Sequence, residues 1–383
     1  MAKKKYLLVL PSFMVGGAEK QAFSFAEYLK ERGYDVTLTS LGMRGPICES
    51  CEQSKIRWDV VEKPNVVVYD FFRCLERVHL LPKTFRTYNE ALSIRLAKYI
   101  KTEQFDYCVA YCIESCVLLG RAAKYYHRPR YVWFQRDAGI FNTGDDYERN
   151  AIRACDLVLS NGISGKQYLE SHFDISVKVI NNGVKLAKAK YSNTEWRYKL
   201  RASDDTIICT MIANLHDAKD HISLLKIWDA LHHSCDGNMP TLVFAGRFDN
   251  KYSELIDYTN KHGLQDYVQF IGPTSDVTGL LSATDICVFG AKSEGSPNGI
   301  IEAALMALPV FATNLPEIRE IVSDDNIPLL FEREDVDDSK RKMQLLLEDA
   351  NLRKRIGKEN LEKAQVKYDR NRNFNKIIDL IER

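Results

Sequence analysis

Short apolar runs alternate along this chain with longer stretches whose hydrophobic residues recur at helical spacing. YLLVL (6–10) reads as a strand, Ala18–Arg32 as an amphipathic helix that Gly33 ends, and DVTLTSL (35–41) as a second strand. DYCVAYC (106–112), RYVWFQ (130–135), LVLS (157–160) and VKVINNG (177–183) continue the series. Strands alternating with helices predict a parallel sheet covered on both faces. The series then restarts with TIICTMIANL (206–215) and the helix His221–His232, followed by TLVFAGR (241–247), YVQFIG (267–272), DICVFGA (285–291) and LPVFAT (308–313). The expected class is α/β, with two consecutive doubly wound, Rossmann-like domains over 1–184 and 185–365. The segment 184–203 has few apolar residues and no clear strand, and is read as the linker. Residues 351–383 read as charged helix, which either completes the second domain or, from about 366, returns to the first. Open parallel sheets bind ligands beyond the carboxyl ends of their strands, so two such domains facing across a cleft would both contribute loops to a site.

Composition narrows this picture in few places. The chain has 383 residues, enough for two domains, and its net charge of +1 hides an asymmetry. Residues 1–184 carry 26 Lys and Arg against 21 Asp and Glu, the remainder 27 against 31. The segment 71–101 alone holds seven basic and two acidic side chains, an excess equal to that of the whole first half. Around it, DFFRCLERVHLLPKTFRTYNEALSIRLAKYIK (70–101) mixes Phe71, Phe72, Leu80, Leu81 and Phe85 with those cations. That mixture suits either an ordinary amphipathic helix or one lying on anionic lipid; the local charge favours peripheral membrane contact. No apolar run is long enough to span a membrane. The start, MAKKKYLLVLPSF, has too short an apolar run and no cleavage site for a signal peptide, so it is read as a first strand in a cytoplasmic protein. The ten cysteines are scattered, and Cys48-x-x-Cys51 has no matching second pair, so buried free thiols are expected rather than a zinc site. No nucleic acid is expected as a partner.

Three strand-end loops carry candidate chemistry. In PSFMVGGAEKQ, Gly16-Gly17 either forms a turn or lets the backbone approach a ligand at a helix start. In IANLHDAKDH, Lys219 is either a solvated side chain or a point charge for an anion at the strand ends. In SEGSPNGIIEA, Glu294 stands at a strand end, and Glu302 lies one turn into the following helix. Between them Gly295, Pro297 and Gly299 keep the loop from becoming helical until about Asn298. The N–H groups of Gly299, Ile300 and Ile301 are then expected in the first turn without internal partners, an anion site. A phosphate flanked by two carboxylates that accept from sugar hydroxyls is a nucleotide-sugar arrangement.

These segments together resemble glycosyltransferase family 4, of the GT-B fold. VGGAEKQ, VINNGV (179–184), IANLHDAKDH, LVFAGR, SEGSPNGIIEA and LPVFAT follow in the family's order, within a likeness spanning about residues 5–365. The resemblance implies a retaining transferase that moves a sugar from a UDP- or GDP-linked donor to a glycan or lipid-linked glycan, as in cell-surface polysaccharide synthesis. It implies that Glu302 binds the ribose hydroxyls, that Glu294 holds the donor sugar, and that Lys219 stabilises the diphosphate with the loop Ser296, Asn298, Gly299 and Ile300. Gly16 and Gly17 would approach the phosphates or the acceptor. No metal or other cofactor is implied; the single Asp-x-Asp, Asp335-Val336-Asp337, lies in an acidic run that reads as a solvated loop.

The chain departs from the family in three places. Asn214 stands where an arginine is usual, with Arg247 as a candidate to supply the missing charge. Gln135-Arg136-Asp137 replaces a histidine segment on the acceptor side. Asn314-Leu315-Pro316 replaces a pair of glycines. Two other readings share the fold: a sugar-nucleotide epimerase, which lacks the Ser-Glu-Gly to Glu-Ala arrangement, and a non-catalytic binding subunit.

Overall fold

The computed structural model describes residues 3–61, 84–234 and 239–383, of which 84–87 are described by backbone alone. It divides into two compact units, one of residues 1–183 with 370–383, the other of 184–369. Among the described residues the first unit is built on seven parallel strands: β1 (Lys5–Leu10), β2 (Asp35–Ser40), β3 (Arg57–Val60), β4 (Tyr107–Tyr111), β5 (Arg130–Gln135), β6 (Leu157–Ser160) and β7 (Lys178–Val179). Their order is β3-β2-β1-β4-β5-β6-β7. Alternate residues of β1 feed different cores, as the pleat requires. Tyr6, Leu8 and Leu10 pack with the helices Gly17–Glu31 and Arg370–Glu382, whereas Leu7 and Val9 pack with residues of Thr84–Glu103 and Ile113–Ala123. A strand covered on both faces is the reason YLLVL is apolar without interruption.

The second unit holds five parallel strands: β8 (Ile208–Ile212), β9 (Thr241–Ala245), β10 (Val268–Gly272), β11 (Ile286–Phe289) and β12 (Val310–Ala312). Their order is β10-β9-β8-β11-β12. In both sheets the direction of winding reverses next to the first strand, between β1 and β4 and between β8 and β11. Those two strand ends are the switch points at which such sheets take ligands.

Several local expectations are corrected. VKVINNG forms only the two-residue β7, at the sheet edge, and β3 (RWDV) is an edge strand that the apolar pattern does not reveal. The segment read as a linker contains the helix Asn193–Lys199, whose Trp196 is 7% exposed and packs with Val243 and Leu280 of the second unit. The charged C-terminal stretch, which the sequence leaves open between the domains, divides: it is two helices, Ala350–Lys367 in the second unit and Arg370–Glu382 in the first. Of the segment 70–101, Phe71, Phe72, Leu80 and Leu81 lie outside the described residues, as does the side chain of Phe85. Among the described residues no helix is long and apolar enough to cross a membrane, and eight cysteines are free.

Candidate active site

At the switch point of the second sheet, the loop after β8 is sewn to the end of β11. Asp220 N–H donates to Gly290 O (2.9 Å), and Lys292 N–H donates to Ala218 O (3.1 Å). A Cβ on Gly290 would stand 2.1 Å from the Asp220 carbonyl, so this approach requires glycine. The stitching delivers Lys219 to Glu294: Nζ and Oε1 form an ion pair, with side chains only 17% and 8% exposed. The ammonium also lies 5.1 Å from the centre of the Phe289 ring. Burial pushes the Glu294 carboxyl above the usual carboxylate range; Lys219 opposes that rise, and the charge of Glu317 adds to it.

The imidazoles around this pair stay neutral. Burial, then the Lys219 charge, holds His216 low. The same causes bring His221 down to about 4, with its ring set edge-on to Phe244 (5.1 Å, 70°). The two histidines therefore add no charge beside Lys219 at neutral pH.

After β11 the chain runs through Pro297, the N-cap, into the helix Asn298–Leu305. Here the structure corrects the expectation of three free N–H groups. Ile300 and Ile301 both donate to Pro297 O (3.2 Å each), because the first turn closes on its own cap carbonyl. Ile300 is also buried in the core, so neither its side chain nor its N–H faces a ligand. Gly299 remains as a backbone donor at the helix start. A Cβ there would meet the Ile212 carbonyl at 2.7 Å, so this glycine also lets the helix lie against the end of β8. Ser296, Asn298 and Glu302 are half-buried along the same loop and first turn. Glu302 is near enough to β11 that its charge, after burial, helps to push the Cys287 thiol up to about 12.

Asn214 and Arg247 meet, but through the backbone. Asn214 Oδ1 accepts from Arg247 N–H (3.0 Å), while the guanidinium forms a two-pronged pair with Asp249 (2.6 and 2.9 Å). The charge proposed to replace the family's arginine is thus already answered by a carboxylate.

The remaining candidates belong to the first unit. Gly16 is the extended N-cap of Gly17–Glu31, and Lys20 N–H closes on its carbonyl (3.1 Å). Gln135, 1% exposed, accepts from Trp133 Nε1 (3.0 Å) and donates to Asp137 Oδ1 and Asn142 Oδ1 (2.9 and 2.8 Å). It braces the loop after β5. Arg136 donates to Asn182 Oδ1 (2.7 Å) and lies over the Phe134 ring, and burial holds its guanidinium below the usual range. Burial raises the Asp137 carboxyl, which accepts from Gly139 N–H (2.7 Å).

Residues 15–188 match the model of glycosyltransferase family 4, and residues 192–363 match that of glycosyl transferases group 1, so the two models take up nearly the whole chain between them. The chain belongs to glycosyltransferase family 4. This glycosyltransferase is 21% identical over 359 residues to an uncharacterized glycosyltransferase of Haemophilus influenzae, covering 91% of this chain and 92% of that one. Over 142 residues, 37% of this chain and 36% of the other, it is 26% identical to an N,N'-diacetylbacillosaminyl-diphospho-undecaprenol alpha-1,3-N-acetylgalactosaminyltransferase of Campylobacter jejuni. Its fold is that of Anabaena HepE, solved with UDP and glucose, at a TM-score of 0.82 with 18% identity and 99% of each chain covered. The fold is GT-B.

In this glycosyltransferase two neighbours of the Lys219–Glu294 pair escaped the sequence. Arg333 Nε pairs with Asp220 Oδ2 (2.6 Å), beside Lys219, out of an acidic run that reads as solvated loop. Glu317, buried in the helix Pro316–Arg319, acts on Glu294 through its charge. Arg333 is 113 residues from Asp220, and no local pattern signals such a contact.

Proposed function

We propose that the enzyme is a retaining transferase, using neither metal nor bound cofactor, that moves a sugar from a UDP- or GDP-linked donor to a glycan or lipid-linked glycan. It would work in the cytoplasm at the inner face of the membrane, in cell-surface polysaccharide synthesis. The observation that carries this reading is the largely buried Lys219–Glu294 pair at the β8/β11 switch point. Breaking the anomeric C–O bond leaves positive charge on the sugar and additional negative charge on the nucleoside diphosphate. A lysine held in a partly dry site, with its imidazole neighbours neutral, stabilises that diphosphate without solvent reorganisation. Donor entry would open the ion pair, turning Lys219 to the diphosphate and Glu294 to the sugar hydroxyls. Glu302 would then take the ribose, with Ser296, Asn298 and the Gly299 N–H along the phosphates. Gly16 and Gly17 are assigned to the phosphates or the acceptor, and Gln135, Arg136 and Asp137 to the acceptor.

The UDP and glucose bound by the Anabaena protein support a nucleotide-sugar donor, and the diphospho-undecaprenol in the name of the Campylobacter relative supports a lipid-linked acceptor. Peripheral contact with anionic lipid through 70–101 rests on its charge; flotation with anionic and neutral vesicles tests it.

The decisive experiment is saturation-transfer NMR against a panel of UDP- and GDP-sugars, followed by turnover in EDTA. Binding with slow donor hydrolysis is expected, and conversion to an epimer would identify the other enzyme class. Lys219→Ala should lower turnover by about 10²–10³-fold, the loss usual for a donor aimed at developing charge. Turnover equal to wild type would remove Lys219 from the mechanism.

A further inference from the structure

The loop after β9 carries an aromatic ring that neither the core nor the ion pair requires. Phe248 is 42% exposed, yet its ring is fixed: it stacks on Tyr252 with centroids 4.1 Å apart and planes 12° from parallel. Tyr252 stands edge-on to Phe270 of β10 (5.8 Å), which packs against the buried Phe244 of β9 (5.3 Å). Phe248 is thus the outermost member of a row of rings anchored in the sheet. Its edge runs along the end of β10, where Gly272 has φ +71° and a Cβ would come within 3.6 Å of the ring. Tyr252 covers one face, so the exposed area is the other face and the rim.

This loop is joined directly to the one that carries Lys219. Asn214 Oδ1 accepts from Arg247 N–H, Leu215 N–H donates to Arg247 O (2.9 Å), and Lys251 N–H donates to Leu215 O (3.2 Å). The ends of β9 and β11 flank β8, so the loops that carry Phe248 and Glu294 leave the sheet about two strand spacings apart, roughly 10 Å. That is of the order of the separation between the diphosphate and the base of an extended nucleotide.

We propose that Phe248 is the platform on which the donor's nucleobase stacks while Lys219 meets its diphosphate. The inference rests on the nucleotide-donor reading and adds the subsite that reading leaves unassigned. Every base offers a π-face, so a stacking platform takes uracil and guanine alike; a choice between UDP and GDP must come from groups at the base edge.

Calorimetric titration of the whole chain with UDP, with GDP and with pyrophosphate tests this, using wild type, Phe248→Leu and Phe248→Trp. Leucine keeps the apolar bulk that a structural role needs but removes the aromatic face; tryptophan restores it. The expected result is UDP and GDP binding weakened about tenfold by leucine and restored by tryptophan, with no effect on pyrophosphate. Wild-type nucleotide affinity in Phe248→Leu, or an equal loss of pyrophosphate, would overturn the platform while leaving the donor reading intact. Wild type that bound neither nucleotide would overturn the donor reading and the platform with it.

Discussion

Glu294 is a carboxylate that the fold makes reluctant to ionise, and Lys219 is what makes its charge tolerable. A carboxyl whose folded pKa lies above its unfolded value contributes its full stability below the usual glutamate range, about pH 4.3. That contribution is lost as pH rises through the folded value. Lys219→Met removes the opposing cation and raises Glu294 further, so its cost should be small near pH 4 and grow at neutral pH. Breaking such a buried pair costs about 3–5 kcal/mol. Urea unfolding of the second unit, wild type against variant at about pH 5 and about pH 8, should show the gap widening with pH; a constant gap would mean that Glu294 does not change protonation there. The residues of this pair were legible because each sits in a strand–loop–helix context. Their contact was not, since it depends on Gly290 admitting the Asp220 carbonyl and so drawing two loops together.

At the scale of elements, the helix Asn298–Leu305 is placed by contact with the end of β8, and its start is the part of the site that the strand–loop pattern outlines best. Gly299→Ala would put a methyl group 2.7 Å from the Ile212 carbonyl, and backbone cannot yield as a side chain can. The helix should shift, at a cost of about 1–3 kcal/mol. A lower urea midpoint for the second unit and weaker UDP binding are expected, and a midpoint equal to wild type would refute the packing argument. The strands of both sheets were legible because burial on two faces demands unbroken apolar runs. Where burial is one-sided or brief, the pattern failed. Arg57 and Asp59 disguise the edge strand β3, and the helix Asn193–Lys199 is secured by a few contacts in a polar segment. Its Trp196 Nε1 donates to Asp276 Oδ2 (2.8 Å), and the same carboxylate accepts from Lys190 and Tyr191 N–H. No spacing rule reaches across 80 residues to such an anchor.

For the whole molecule, the chain leaves its first unit at Gly183 and re-enters it at Arg370, so the last helix completes a core begun at residue 5. Composition left open which unit would own that helix, since a charged amphipathic face suits either. Its side chains decide. Phe374, Ile377, Ile378 and Ile381 are buried with Tyr6, Phe25 and Leu29, and Arg370 pairs with Glu31 (2.9 Å) while Tyr28 donates to Asn375 (2.8 Å). Four such side chains represent about 6–12 kcal/mol of burial, against a typical stability of about 5–15 kcal/mol for a folded protein. A chain ended at Asp369 should therefore lose its first unit and keep its second, whose cluster from Cys209 to Tyr368 lies within the residues retained. Hydrogen exchange read by mass spectrometry separates the two: protection should vanish in β1, β4 and β5 and persist in β8, β9 and β11. Wild-type protection of β1 in the truncated chain would show that the first sheet holds without its last helix.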